Sequence, residues 1–319
     1  MLRFALRRLA GGVLLLVIVS MVIFVLLRVL PGDPVLMRLG ASTSAGTEEA
    51  VNQLRQELGL DAPLPIQYLD WMRGVLTGDL GVSYVSQFPV STLIGHRIPA
   101  TLQLAAAAIV LAIAIAVPVA LLGARWPGTI YDRLTSGGVT VAMAIPQFWL
   151  GLLLVSVFAV QLGWLPARGY VAFTEQPVQH LRLLLLPAVT LGITLAAPIA
   201  RFLRSSLADV SGNLYMRTAE GKGLMWGQAI VRHGLPNALM TTLTFVGLLA
   251  GQLLGGVVLV EYVFGWPGLG SLTVDAIAGR DYGILQGVIL LLSAGFLVIN
   301  LLIDLAYGLL NPRIRVGAS

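Results

Sequence analysis

An all-α membrane protein with six transmembrane helices is the fold class this sequence predicts, and three observations predict it. Of its 319 residues, 57% are hydrophobic and only 11% charged, where a soluble domain carries about 25% charged residues. Six separate apolar runs are long enough to cross a ~30 Å hydrocarbon layer, which takes about 20 residues at 1.5 Å each. The basic residues are shared unevenly between the segments joining those runs. A chain this apolar could not keep its surface in water.

The runs are 9–30, 101–123, 138–161, 183–202, 239–260 and 283–303. Arg3, Arg7 and Arg8 precede the first one, as in a signal peptide. However, the run is longer than the roughly 7–15 residues of a signal-peptide core, and it ends in Leu30-Pro31-Gly32-Asp33 instead of a small-residue cleavage site. It is read as an uncleaved first helix. Pro118, Pro146, Pro187 and Pro198 interrupt the second, third and fourth runs. Prolines are tolerated in membrane helices because neighbours satisfy the freed carbonyls, so these mark bends or hinges.

Sidedness follows from charge. Twelve of the 20 lysines and arginines lie in the N-terminus, 124–137, 201–238 and the tail after 304, and eight lie in the longer segments opposite. Of the 15 acids, three lie on the first side and eleven on the second. The positive-inside bias predicts that both termini are cytoplasmic. The net charge of +5 is therefore read as sidedness and not as a nucleic-acid footprint. Four segments are expected: a first transmembrane helix (1–30), an extracytoplasmic subdomain (31–100), a transmembrane core (101–310) and a cytoplasmic tail (311–319). Within 31–100, Thr47 can cap a helix bearing Val51, Leu54 and Leu58, stopped by Gly59. A second amphipathic stretch carries Tyr68, Leu69, Met72, Val75 and Leu76 and ends near Gly78. Both stripes are expected to pack on the membrane domain.

Cysteine is absent, which excludes disulfides, thiolate metal sites and cysteine nucleophiles. His96, His180 and His233 show no metal-ligand spacing, and no metal site is expected. There is no His-Glu-x-x-His and no nucleophile elbow. Gly221-Lys222-Gly223 is not a phosphate loop, because neither Ser nor Thr follows the lysine. No catalytic residues are assigned.

The most informative segment is 211–236. It reads Tyr215-Met216-Arg217-Thr218-Ala219-Glu220-Gly221-Lys222-Gly223-Leu224 and closes at Leu235-Pro236. Gly223 suits the left-handed position that ends one short helix, and the run to Leu235-Pro236 suits a second. Two short helices at a fixed angle would form a rigid knob. This segment resembles the ATPase-docking loop of bacterial ABC importer permeases, whose pattern is Glu-Ala-Ala, three residues, Gly, nine residues, Ile, any residue, Leu-Pro. Arg217-Thr218-Ala219 takes the triplet, Gly223 the glycine, His233 the isoleucine position and Leu235-Pro236 the end. Arg217, Thr218 and His233 depart from the general pattern but are similar to the branch importing dipeptides, oligopeptides and nickel. Gly221 is unusual even there.

Further stretches resemble that branch in the same order. They include Gly59-Leu60-Asp61, Gln67-Tyr68, Trp71, Gly78-Asp79-Leu80-Gly81, Arg97, Thr101-Leu102, residues 261–270, Arg280-Asp281-Tyr282, Asn300-Leu301 and Pro312-Arg313-Ile314-Arg315. Gly283 and Asn311 stand where the branch has Pro and Asp. The resemblance implies a type I ABC importer permease fold in a bacterial cytoplasmic membrane, with an extracytoplasmic subdomain between helices 1 and 2. Its implied partners are a homologous second permease, two cytoplasmic ATPases and an extracytoplasmic substrate-binding protein. No cofactor is expected on this chain, since ATP and Mg would be bound by the ATPases. The docking residues it implies are Arg217, Thr218, Ala219, Glu220, Lys222, Gly223, Leu224, His233, Leu235 and Pro236.

Other residues carry two readings each. Gly247, Gly251 and Gly255 recur every fourth residue, spacing that lets helices approach closely, either in an internal groove or near the pathway and the partner permease. Gln147 and Gln252 are further pathway candidates. Glu261, Trp266 and Asp281 are candidates for contact with the binding protein, Glu261 equally a solvated rim residue. Asp304 is expected in a structural hydrogen bond or arginine pair, with ion coupling the alternative. The expected function is import of peptides delivered by a binding protein, with nickel chelates, glutathione or haem as alternative cargo. An ion-coupled secondary transporter is the remote alternative, and the span centres lack the charges it would need.

Overall fold

The computed structural model describes residues 2–29, 52, 55, 56 and 61–310. Its elements are α1 (Leu2–Val29), α2 (Leu64–Thr77), α3 (Val90–Arg125), α4 (Ile130–Ala144), α5 (Gln147–Leu154, continued by a π-helical turn Val155–Gln161), α6 (Pro177–Ser211), α7 (Leu214–Gly221), α8 (Trp226–Ala229, continued by a π-helical turn Ile230–Gly234), α9 (Leu235–Phe264), α10 (Leu269–Ala278) and α11 (Tyr282–Leu310). Among the described residues the lone strand-like feature is the bridge Val82–Pro89. Four helices are individually long and apolar enough to cross a membrane, and six spans result when each of two bent pairs counts as one.

The chain forms two compact units, one of Met1–Ala5, Leu102–Trp266 and Phe296–Ser319, the other of Leu6–Thr101 and Pro267–Gly295. In the first, α6 is the central helix, packed against α4, α5 and α9. Its seam with α3 is made of small residues. Ala108, Ala112, Ala116 and Ala120 follow one another at four-residue intervals and are buried, as are Ala188, Gly192, Ala196 and Ala200 on α6. A Cβ at Gly192 would stand 3.0 Å from the Leu111 Cβ, so the two backbones run nearly in contact. Lipid is as apolar as leucine, so membrane helices associate through such close packing and not through expulsion of water.

The third expected run, 138–161, is not one straight span. It breaks at Ile145-Pro146, where α4 and α5 diverge by 103°. Ile145 precedes a proline and adopts φ −78°, ψ 125°, the extended conformation to which proline drives its predecessor. Pro187 and Pro198, by contrast, lie inside the uninterrupted α6. There Thr190 and Thr194 hydroxyls bond back to the Leu186 and Thr190 carbonyls.

The second unit gathers the far half of α1, the segment 61–101, α10 and the start of α11 around Ile23, Leu27, Val90, Ile94, Leu269, Leu272, Tyr282, Leu285 and Val288. Its α2 ends at Gly78, φ 86°, whose N–H meets the Val75 carbonyl, while the Asp79 N–H meets the Gly74 carbonyl. Tyr68, Met72 and Val75 turn inward as the sequence predicts, but Leu69 and Leu76 are exposed, because the face that α2 buries is centred on Tyr68, Trp71 and Val75. The other helix expected in this region, with Thr47, Val51, Leu54 and Leu58, lies outside the described residues, as does the tail 311–319.

Candidate functional site

The 211–236 segment folds as a knob rooted in the first unit. Its first helix, α7, buries Met216 and Ala219, three residues apart on one face, against Leu203 and Leu207 of α6 and against Ala229 and Ile230. Arg217, Thr218, Glu220 and Lys222 occupy the other face and are exposed. The helix stops where Gly223 turns left-handed at φ 88°, with its N–H on the Glu220 carbonyl and the Leu224 N–H on the Ala219 carbonyl. Leu224 is half-buried against the same cluster, and the Arg125 guanidinium stacks 4.9 Å over Trp226.

The second helix does not end at Leu235-Pro236, contrary to the sequence expectation. It runs from Trp226 through the π turn holding His233 directly into α9, so the knob is continuous with a 30-residue helix. The wider turn displaces the backbone carbonyls that the Pro236 ring would otherwise meet one helical turn earlier. Within that turn a Cβ at Gly234 would come within 2.5 Å of the Ile230 Cδ1. The arrangement presents an alternating cationic and anionic surface, Arg217, Glu220 and Lys222, on a stiffly connected base.

The glycines of α9 separate into two kinds. A Cβ at Gly247 would lie 2.5 Å from Ile303, and one at Gly251 2.7 Å from Phe296, so α11 fills both positions. Both are buried packing positions within this chain. Gly255 has nothing within 4 Å and is exposed. Gln147 is half-buried, and its Nε2 donates to the Gly256 carbonyl at 3.0 Å, tying the start of α5 to α9. The side chains of Gln252 and Asp304 lie outside the described residues.

Glu261, Trp266 and Asp281 are not rim residues. They are 0%, 0% and 2% exposed, so none offers its side chain to a partner. Trp266 packs edge-on to Tyr170 and His180, and the Trp266 N–H returns to the Glu261 carbonyl at 2.8 Å. Asp281 receives the Ser83 hydroxyl and the Tyr84, Val85 and Ile284 backbone N–H groups, fastening residues 82–89 to the start of α11. At Gly283 a Cβ would stand 2.6 Å from the Val82 carbonyl oxygen, which explains a glycine at this departure from the branch pattern.

Two features escape the sequence reading. Asp132 is buried, bonded by Arg204 at 2.6 Å and by the Gly128 N–H at 2.9 Å, joining α4 to α6. The partners are 72 residues apart, and nothing local pairs them. The alanine seam was legible as four-residue spacing in 108–120 and 188–200, the signal read at 247–255. Among the described residues, no three His, Asp or Glu side chains cluster to hold a metal.

The sequence matches the family described as "Binding-protein-dependent transport system inner membrane component" over residues 116–316, and the corresponding N-terminal component over residues 1–105. The chain belongs to this family. The permease is 41% identical over 318 residues to the glutathione transport system permease protein GsiC of Pectobacterium atrosepticum, covering 99% of both chains. It is 40% identical over 315 residues to GsiC of Escherichia coli K12, again covering 99% of both. Among solved structures it is similar in fold to the methionine ABC transporter MetNI, with TM-score 0.57 and 22% identity over 69% of the permease and 96% of that chain. An amino acid ABC transporter matches with TM-score 0.50 and 17% identity over 70% and 94%. The permease is thus a multi-pass inner-membrane subunit of an ABC importer and is not itself catalytic.

Proposed function

We propose that this permease, with a homologous second permease, forms the pathway for short peptides delivered by an extracytoplasmic binding protein. The observation that carries the reading is the end-to-end similarity to glutathione permeases, glutathione being itself a tripeptide. Two ATPases would bind ATP and Mg and seat on the knob through Arg217, Thr218, Glu220, Lys222 and the turn at Gly223, with Ala219 and Leu224 rooting it. The continuity of α8 with α9 through His233, Leu235 and Pro236 supports a lever, because motion imposed on the knob passes into a spanning helix without a flexible joint. Both termini and the knob would then be cytoplasmic.

Selection would rest mainly with the binding protein, and Gln147 and Gln252 would set rate more than preference. The test is uptake by the complete transporter in proteoliposomes, with labelled glutathione and dipeptides competed by nickel chelate and haem. Peptide uptake that only peptides compete is expected. Nickel or haem uptake indifferent to peptides would refute the peptide assignment and leave the importer class standing.

A further inference from the structure

The first transmembrane helix supplies a ruler for the depth of its neighbours. Arg8 and Arg28 bracket its apolar stretch, and at 1.5 Å per residue they stand about 30 Å apart, the thickness of the hydrocarbon layer. Arg28 lies with its guanidinium 5.0 Å over the Phe24 ring, and Phe24 is one helical turn, about 6 Å, inside that boundary. Ser20 lies one turn deeper.

The soluble-looking helix α2 is attached at those depths. Its Tyr68 hydroxyl is 2.8 Å from the Ser20 hydroxyl, its Tyr68 ring meets Phe24 edge-on at 5.5 Å, and Trp71 lies 6.0 Å from Phe24. A helix so anchored cannot stand clear of the bilayer. Yet one exposed flank of it is apolar: Leu69 is 56% and Leu76 80% exposed, and Pro65 shares their side, with Arg73 bordering it. The neighbouring arc carries Asp70 and Thr77, with Asp70 paired to Arg73 at 3.4 Å. Val22, Val25 and Leu26, the α1 residues next to Ser20 and Phe24 in sequence, are exposed apolar residues as well.

We propose that α2 is an interfacial membrane helix, embedded at the headgroup–acyl boundary of the leaflet farthest from Arg8, with Leu69 and Leu76 among the acyl chains and Asp70 toward the headgroups. Interfacial helices bury their apolar face about 5–10 Å into that boundary, the depth at which Phe24 meets Tyr68 and Trp71 here. Tyr68 and Trp71 are the residue types that anchor at this level, and Arg73 reaches the headgroups along its aliphatic stem. The lipid-bound helix would fix the height of residues 79–101, which follow it directly.

The cysteine-free chain permits the test. Nitroxide labels are placed at Leu69→Cys and Leu76→Cys, at Asp70→Cys and Thr77→Cys, and at Val22→Cys as lipid reference. The complete transporter, its partner subunits freed of reactive cysteine, sits in phosphatidylethanolamine–phosphatidylglycerol nanodiscs. Collision with oxygen several-fold above collision with a water-soluble nickel chelate is expected at positions 69 and 76, as at 22, with the ratio inverted at 70 and 77. Chelate access at 69 and 76 would overturn the proposal by placing α2 in water. Exclusion of both reagents would overturn it by showing that a protein partner covers this face.

Discussion

At Gly223 the left-handed backbone is paired with open space: no atom lies within 4 Å of where a Cβ would stand. A side chain there meets no steric neighbour, so its cost is conformational, about 1–2 kcal/mol for an alanine. Gly221, two residues earlier, is helical and equally open. Alanine at Gly221 should stabilise α7 by about 0.5–1 kcal/mol. We therefore expect Gly223→Ala to lower transport-coupled ATPase activity of the assembled importer while Gly221→Ala preserves or raises it. Equal activities in the two variants would contradict a docking turn at Gly223. At Asp281 the consequence is one of unmet donors. Asp281→Ala leaves a hydroxyl and three N–H groups without their carboxylate, each costing about 1–3 kcal/mol where water cannot replace it. A clear loss of thermal stability in detergent is expected, and an unchanged melting temperature would show that residues 82–89 are not held by this carboxylate.

Among the elements, the knob depends on how α7 is rooted. Met216 is fully buried among Leu203, Leu207, Ala229 and Ile230. Truncating a buried methionine to alanine costs about 2–5 kcal/mol through lost contacts and the cavity left behind. Met216→Ala should free α7 from α6 while the spans remain inserted. Its readout is a cysteine at the buried Ala219, which should react with maleimide faster in the variant; equal rates would mean that α7 is held by something other than this cluster. The α4–α5 break and the uninterrupted α6 show that proline acts through context. Pro146 follows an extended residue and starts a helix, whereas Pro187, buried, and Pro198, half-buried, lie inside a continuous one.

On the scale of the whole molecule, the proposed orientation places Thr174 and Asn213 on opposite sides of the membrane. Both are exposed, and the cysteine-free background makes single-cysteine labelling direct. Thr174→Cys should react with an impermeant maleimide in intact cells, and Asn213→Cys only after permeabilisation. Outside labelling at Asn213 would invert the topology and remove the knob from the ATPases together.

Composition and run length alone specified a helical membrane protein, since burying backbone in lipid leaves few alternatives to the helix. Local steric rules likewise specified the left-handed turn at Gly223 and a helix end near Gly78, because a positive φ is a property of the residue and its immediate neighbours. What the sequence could not decide was which partner each side chain would meet. The four-residue glycine spacing of α9 was visible, but only packing assigned Gly247 to Ile303 and Gly251 to Phe296 while leaving Gly255 open. From sequence Asp132 was only one of the acids counted for sidedness, and Glu261 and Asp281 were candidates for contact with a binding protein. The fold buried all three and gave Asp132 an arginine on another helix and Asp281 a ring of backbone donors. Burial is set by which elements close over a position, and that closure joins residues far apart in the chain, information that no local pattern contains.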